Sequence, residues 1–106
     1  RNTLPAPELR FVDWRRTYPD LRVERIVASD VLYESRCLRP VAEFVERHLT
    51  PDGFALIVDS FRAPADAFDS VARHCGVSVK TEEQPARPDE TPPRPRCRVF
   101  TLRRRA

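Results

Sequence analysis

Three short apolar runs each end on a carboxylate: Leu9 to Val12 on Asp13, Arg25 to Ser29 on Asp30, and Phe54 to Val58 on Asp59. An indole, Trp14, follows the first acid, and a phenol, Tyr33, stands three positions after the second. If the runs are strands of one parallel sheet, the three acids meet at the rim where open α/β folds bind ligands. A carboxylate there could receive a proton, and a phenol could orient an amine or hold its cationic form against the ring. The same residue types also cap helices and shape strand-to-helix loops. That plainer role is the expected one for Asp59, whereas Trp14 and Tyr33, both at strand ends, read better as site residues.

The elements that would position these groups follow from periodicity. Arg25 to Ser29 and Phe54 to Asp59 (FALIVD) barely alternate, the pattern of strands buried on both faces of a parallel sheet. Between them Leu38, Val41, Ala42, Val45 and Leu49 recur at spacings of three and four, which predicts a helix over residues 36–49. Arg39, Glu43, Glu46 and Arg47 lie on its other side, and Pro51-Asp52-Gly53 reads as a turn. Strand, helix, strand at this spacing is a βαβ unit with parallel strands and a right-handed crossover.

A second helix is predicted over residues 64–75, with Pro64 at its start and Gly76 as its stop. VSVKT (77–81) and Cys97 to Leu102 read as two late strands, an antiparallel pair at one sheet edge. The loop between them, QPARPDETPPRPR, holds five prolines and reads as irregular. The division expected is a connector over 1–8, a βαβα part over 9–75, and a late strand pair over 76–106 with a Pro-rich loop at 84–96.

Composition sets outer bounds. A chain of 106 residues makes one small domain, and 41% hydrophobic residues suffice for a core. No apolar run approaches a membrane span, and no signal-peptide pattern opens the chain, so no membrane partner and a cytoplasmic location are expected. Three cysteines, Cys37, Cys75 and Cys97, without a C-x-x-C pair suggest reduced core thiols and no metal site. The net charge of +3 comes mainly from RPRCR at 94–98 and RRR at 103–105. The rest is nearly balanced, so no nucleic-acid partner is expected; RNA contact by the arginine tail is the weaker alternative. The histidines, His48 and His74, fall in the last helical turns, where they complement the dipole.

The ordered motifs Asp13-Trp14, then ASDVLY (28–33), a helix, LTPDGFALIVD (49–59) and the late strands resemble the second half of a class I S-adenosylmethionine-dependent methyltransferase. Asp30-x-x-Tyr33 is similar to the D-x-x-Y element of the seven-strand protein-lysine methyltransferases and their small-molecule relatives. Asn2-Thr3-Leu4 resembles the remnant of a helix end before the third strand.

The resemblance implies a Rossmann-like sheet holding strands three to seven of the order 3-2-1-4-5-7-6, parallel with an antiparallel last strand. It implies S-adenosylmethionine as cofactor, with Asp13 and Trp14 against the adenine and Ser29 and Asp30 beside the methyl donor. It implies Asp30 and Tyr33 as catalytic residues and a protein lysine or small-molecule amine as acceptor. Methyl transfer from a sulfonium needs mainly alignment of donor and acceptor, worth up to about 7–11 kcal/mol.

That family's glycine-rich loop and the acid ending its second strand are absent, since Gly53 and Gly76 are the only glycines. The chain begins at Arg1 and has no methionine, so the expectation is a C-terminal portion of a longer protein. Strands one and two would lie between Leu9 to Val12 and Arg25 to Ser29. Without them the first strand has no neighbour and the second has an open edge. A missing N-terminal half or a second copy is the partner expected there. The rival reading is a non-catalytic α/β interaction or dimerisation module.

Overall fold

The structure, a computed structural model, describes residues 10–105. It contains one four-stranded sheet and one layer of helices. In chain order the elements are β1 (Val23–Ser29), α1 (Ser35–His48), β2 (Leu49–Asp59), a 3-10 turn (Ala63–Ala67), α2 (Phe68–His74), β3 (Val77–Gln84) and β4 (Cys97–Arg104). The spatial order is β1-β2-β4-β3. β1 and β2 are parallel, with Arg25 beside Phe54 and Ser29 beside Val58. β4 lies between β2 and β3 and is antiparallel to both. The βαβ unit and the late antiparallel pair are therefore present as the periodicity predicts.

The core forms where the apolar stripe of α1 meets one face of the sheet. Leu38, Val41, Ala42 and Val45 are buried against Ala55, Ile57, Phe100 and Leu102. Phe68 of α2 packs edge-on against Phe100, ring centres 5.1 Å apart, an arrangement that suits the ring quadrupoles. The second helix begins as a tight 3-10 turn at Ala63 and reaches α-helical geometry only at Phe68. Gly76 then ends it at φ 94°, a left-handed conformation that glycine adopts without a Cβ penalty.

Several expectations are corrected. Arg10 to Val12 is not a strand; among the described residues no neighbour supplies the ladder hydrogen bonds a strand needs, and Leu9 lies outside them, as do Asn2-Thr3-Leu4 and the connector 1–8. Pro51-Asp52-Gly53 is not a separate turn but a bulge inside β2, where the register jumps between Val23 opposite Leu49 and Arg25 opposite Phe54. The bulge requires glycine, because a Cβ on Gly53 would lie 2.6 Å from the Glu24 carbonyl oxygen. The late loop is partly ordered: Arg87 and Arg94 exchange two backbone hydrogen bonds of 2.7 and 3.0 Å, which extends the β3–β4 hairpin past Gln84.

The most consequential correction concerns burial. Among the described residues β1 and β2 are covered on one face only. Val27 is 72% exposed, and Phe54, Leu56, Val58 and Val99 on the same side are only half-buried. The unalternated runs reflect apolar character on both faces, but within the described residues helices lie on one.

At the end of β2 the Asp59 carboxylate is fully buried. It accepts the Arg62 backbone N–H at 3.1 Å, the cap role expected of it, and pairs with Arg98 at 2.9 Å. Arg98 also reaches Asp66 at 2.7 Å and the Arg62 carbonyl at 3.0 Å, tying the loop after β2 to β4. Removing Asp59 leaves Arg98 with the exposed Asp66 alone and the Arg62 N–H without its acceptor, which costs about 1–3 kcal/mol. Asp59→Ala should therefore lower the urea midpoint by that equivalent, and Asp59→Leu with Arg98→Met should recover most of it. Equal midpoints for wild type and Asp59→Ala would show the pair to be dispensable.

Candidate functional site

An open cleft of about 460 Å³ lies between the loop before β1 and the start of α1. Asp13, Trp14 and Tyr33 all line it, so residues 20 positions apart in sequence share one surface. Glu34, Arg36, Cys37 and Pro40 of α1 and its approach complete one wall, with Arg15 opposite. Apart from Cys37, expected as a core thiol, sequence reasoning did not single out these wall residues; their only signal is their nearness to Asp13 and Tyr33.

The Asp13-Trp14 loop is held by side chains on α1. Trp14 packs edge-on against Phe44, ring centres 5.0 Å apart. The Tyr18 backbone N–H donates to His48 Nε2 at 2.9 Å, and His48 Nδ1 lies 2.9 Å from the Phe44 carbonyl oxygen. These partners assign the tautomer: Nδ1 donates and Nε2 accepts. The Tyr18 hydroxyl in turn accepts the Asp13 N–H at 2.8 Å. His48 is thus a buried clamp on the loop rather than a surface cation at the helix end, which corrects the dipole role expected of it. Phe44 and His48 extend the stripe begun by Leu38 and Val41, so spacing alone could have marked both as inward-facing. His74 is exposed, with Nδ1 2.8 Å from the Ser70 carbonyl oxygen.

The charges of the cleft are balanced. Arg15 donates from its backbone N at 2.9 Å and its Nε at 3.3 Å, both to Asp13 Oδ1. The backbone N–H first, and then the guanidinium, hold the Asp13 carboxyl below the usual carboxylate range. Oδ2 receives neither bond and stays open to a further donor. Arg36 pairs with Glu34 at 3.1 Å across the mouth.

Ser29 and Asp30 stand apart from this lining. Both are exposed at the carboxyl end of β1. Asp30 adopts φ 56°, donates its N–H to the Val58 carbonyl at 2.9 Å, and accepts the Ser60 hydroxyl at 3.1 Å. It therefore bridges the ends of β1 and β2. Tyr33 is 56% exposed and turned to the cleft, so the structure does not bring the Asp30 and Tyr33 side chains into one lining. Both Cys37 and Cys75 are half-buried free thiols; Cys75 packs against the core as expected, where burial pushes its thiol up, whereas Cys37 lines the cleft. Among the described residues no cluster of acids, histidines and cysteines is suited to a metal.

Among the described residues no helix is long and apolar enough to cross a membrane. No family model and no curated protein matches the sequence. Solved structures do. The mitomycin 7-O-methyltransferase MmcR superposes with a TM-score of 0.63 at 13% identity, over 89% of this chain and 33% of that one. M1.HpyAVI in complex with SAM gives 0.56 at 15% identity, over 82% of this chain and 47% of that one. M1.HpyAVI alone gives 0.57 at 15% identity. This chain thus spans less than half the length of each of these neighbours.

His48→Phe keeps an aromatic ring and removes the acceptor for Tyr18, so the loop should detach. The expected loss is about 1–3 kcal/mol, with a red shift in the fluorescence of Trp14, the single tryptophan. An unshifted spectrum and unchanged stability would remove His48 from the clamp. At these identities the likeness is one of architecture: the chain has an α/β fold like part of these solved structures, a methyltransferase among them.

Proposed function

We propose that the chain is the C-terminal portion of an S-adenosylmethionine-dependent methyltransferase domain, acting on an amine of a protein lysine or small molecule in the cytoplasm. The observation that carries this reading is the cleft that gathers Asp13, Trp14 and Tyr33 beside the end of a parallel strand. The order β1-β2-β4-β3 fits positions four, five, seven and six of the family's sheet, with the observed antiparallel strand in the seventh place. In that frame residues 1–106 make one partial domain: a connector, the βαβα part and the late strand pair.

The residues present suit the cofactor in part. Asp13 Oδ2 is open to accept from an adenine amino group, and the Trp14 indole borders the same cleft. Bound S-adenosylmethionine would supply an already activated methyl group. Ser29 and Asp30 would border the donor, and the Tyr33 hydroxyl would orient the incoming amine. Asp30, still exposed and bonded only to the Ser60 hydroxyl and its own backbone partner, would receive the proton the amine sheds. Asp30 and Tyr33 would have to converge when an acceptor and the remainder of the domain are in place. The glycine-rich phosphate-free cradle for the cofactor is not among these residues, so affinity of the chain alone should be weak.

The open outer edge of β1 favours a second reading, an interaction or dimerisation module without catalysis. A missing N-terminal half, or a second copy, would pair there.

Trp14 discriminates the two. S-adenosylhomocysteine should quench its fluorescence with a dissociation constant near 1 mM, roughly 4 kcal/mol of binding, and Asp13→Ala should abolish the effect. In a chain completed by the missing half, Asp30→Ala and Tyr33→Phe should each cut transfer by about 10²-fold or more without unfolding. No quenching at any attainable concentration would favour the module, and micromolar binding by the isolated chain would refute the partial-domain reading.

A further inference from the structure

We propose that His48 is a proton-operated latch: charging its buried ring releases the Asp13-Trp14 loop and opens the cleft. The inference does not rest on the methyl-transfer reading.

The loop is a preformed unit with few ties. Two tight turns shape it, closed by the Arg16 N–H on the Asp13 carbonyl and the Leu21 N–H on the Tyr18 carbonyl, each at 3.0 Å. An Arg10–Asp20 pair at 3.1 Å and the bond from Asp13 to Tyr18 brace it from within. Among the described residues, the bond from Tyr18 to His48 is the only hydrogen bond from residues 10–21 to the rest of the fold. The other tie is ring packing at the same spot. Trp14 lies on Phe44, the Phe44 and His48 ring centres are 4.1 Å apart, and Tyr18 meets them at 6.3 and 5.8 Å. A unit held this way can lift without unfolding the sheet.

His48 stands between two opposed demands. As the last residue of α1 it sits at the negative end of a helix, which favours an imidazolium. The loop demands the neutral ring, because Nε2 must accept from Tyr18 while Nδ1 donates to the Phe44 carbonyl. A proton on Nε2 would set N–H against N–H across 2.9 Å, in a ring with no exposure to water. Both the unmade bond and the unsolvated charge are relieved when the loop lifts and water reaches Nε2. The closed loop therefore binds one proton fewer than the open one, so closure is favoured at high pH and lost as pH falls.

The charges on the surrounding elements leave the new one uncompensated. On the loop, Arg10 lies 5.3 Å from the centre of the Tyr18 ring, Asp20 is committed to Arg10, and Asp13 to Arg15. On α1, Glu43 is shared by Arg39 and Arg47, and Glu46 pairs with Arg104 of β4. Glu24 of β1 and Asp52 of β2 are exposed and bond to neither ring nitrogen. The Arg15 backbone N–H and guanidinium hold the Asp13 carboxyl below the usual carboxylate range, and the Arg10 guanidinium does the same for Asp20. Both acids thus keep their charge while a histidine titrates. His74, the other histidine, is exposed on α2 and bonded to Ser70.

The full chain carries its own probe in Trp14, the single tryptophan. From about pH 8 to about pH 5 its emission should move to the red and its quenching by acrylamide should rise, with far-ultraviolet circular dichroism unchanged. One proton per opening makes the ratio of open to closed loop change about tenfold per pH unit through the transition. The imidazole NMR signals of His48 should titrate with the same midpoint. His48→Gln puts an uncharged acceptor in place of Nε2 and should make the emission independent of pH, whereas His74→Gln should keep the wild-type response. A wild-type spectrum unmoved over this range, a response that survives His48→Gln, or one lost with His74→Gln would overturn the latch. So would different midpoints for Trp14 and His48, a comparison that needs no variant. A shift that coincides with loss of circular dichroism would assign it to unfolding and overturn the latch as well.

Discussion

The parallel pairing of β1 with β2 is the constraint on which the rest depends. Parallel neighbours cannot be joined by a tight turn, so the chain must cross from the end of one to the start of the other. Helix α1 makes that crossing, and its apolar stripe fixes which sheet face becomes the core. Both strands then end at the same rim, which brings Asp30 to Ser60 and Val58. The same crossing sets Phe44 and His48 where they can hold the Asp13-Trp14 loop against α1. Core, rim and cleft are thus consequences of one connection.

Two polar devices hold the loops that this connection leaves free, and they work differently. His48 uses both ring nitrogens on backbone groups, so a neutral side chain anchors the loop before β1 without burying a charge. Asp59 and Arg98 anchor the loop after β2 by an ion pair instead. Asp59 Oδ1 and Arg98 Nε are left without partners, so the pair is incompletely satisfied. A buried pair of that kind is weak as a source of stability and strong as a constraint on geometry. It holds Phe61 at φ 61°, a costly conformation for an aromatic residue, with Arg96 and Arg98 stacked on its ring.

Much of the architecture was legible from residue spacing. Leu38, Val41, Ala42 and Val45 marked the buried side of α1, and Gly76 marked the end of α2, because both signals are local. The site was legible in part. Asp13, Trp14 and Tyr33 do share a cleft, but Asp30 faces the neighbouring strand end instead. The bond from Tyr18 to His48 spans 30 positions, and no local pattern announces such a contact. The bulge at Gly53 was read as a turn because Pro-Asp-Gly favours either, and only the nearness of Glu24 decides between them. The apolar runs were read as buried on both faces because hydrophobic pattern reports what a strand can bury, not what is present to cover it.

The position of β4 has a consequence for how the chain assembles. Among the described strands the last in sequence is a central one, and β3 reaches the sheet only through it. The βαβ unit and the late hairpin can each form from nearby segments, but their union waits for residues 97–104 to be synthesised. Until then Ala55 and Ile57 of β2 have no partner on that side. Arg104, which ties β4 back to Glu46 near the end of α1, can make that contact only once this union has formed.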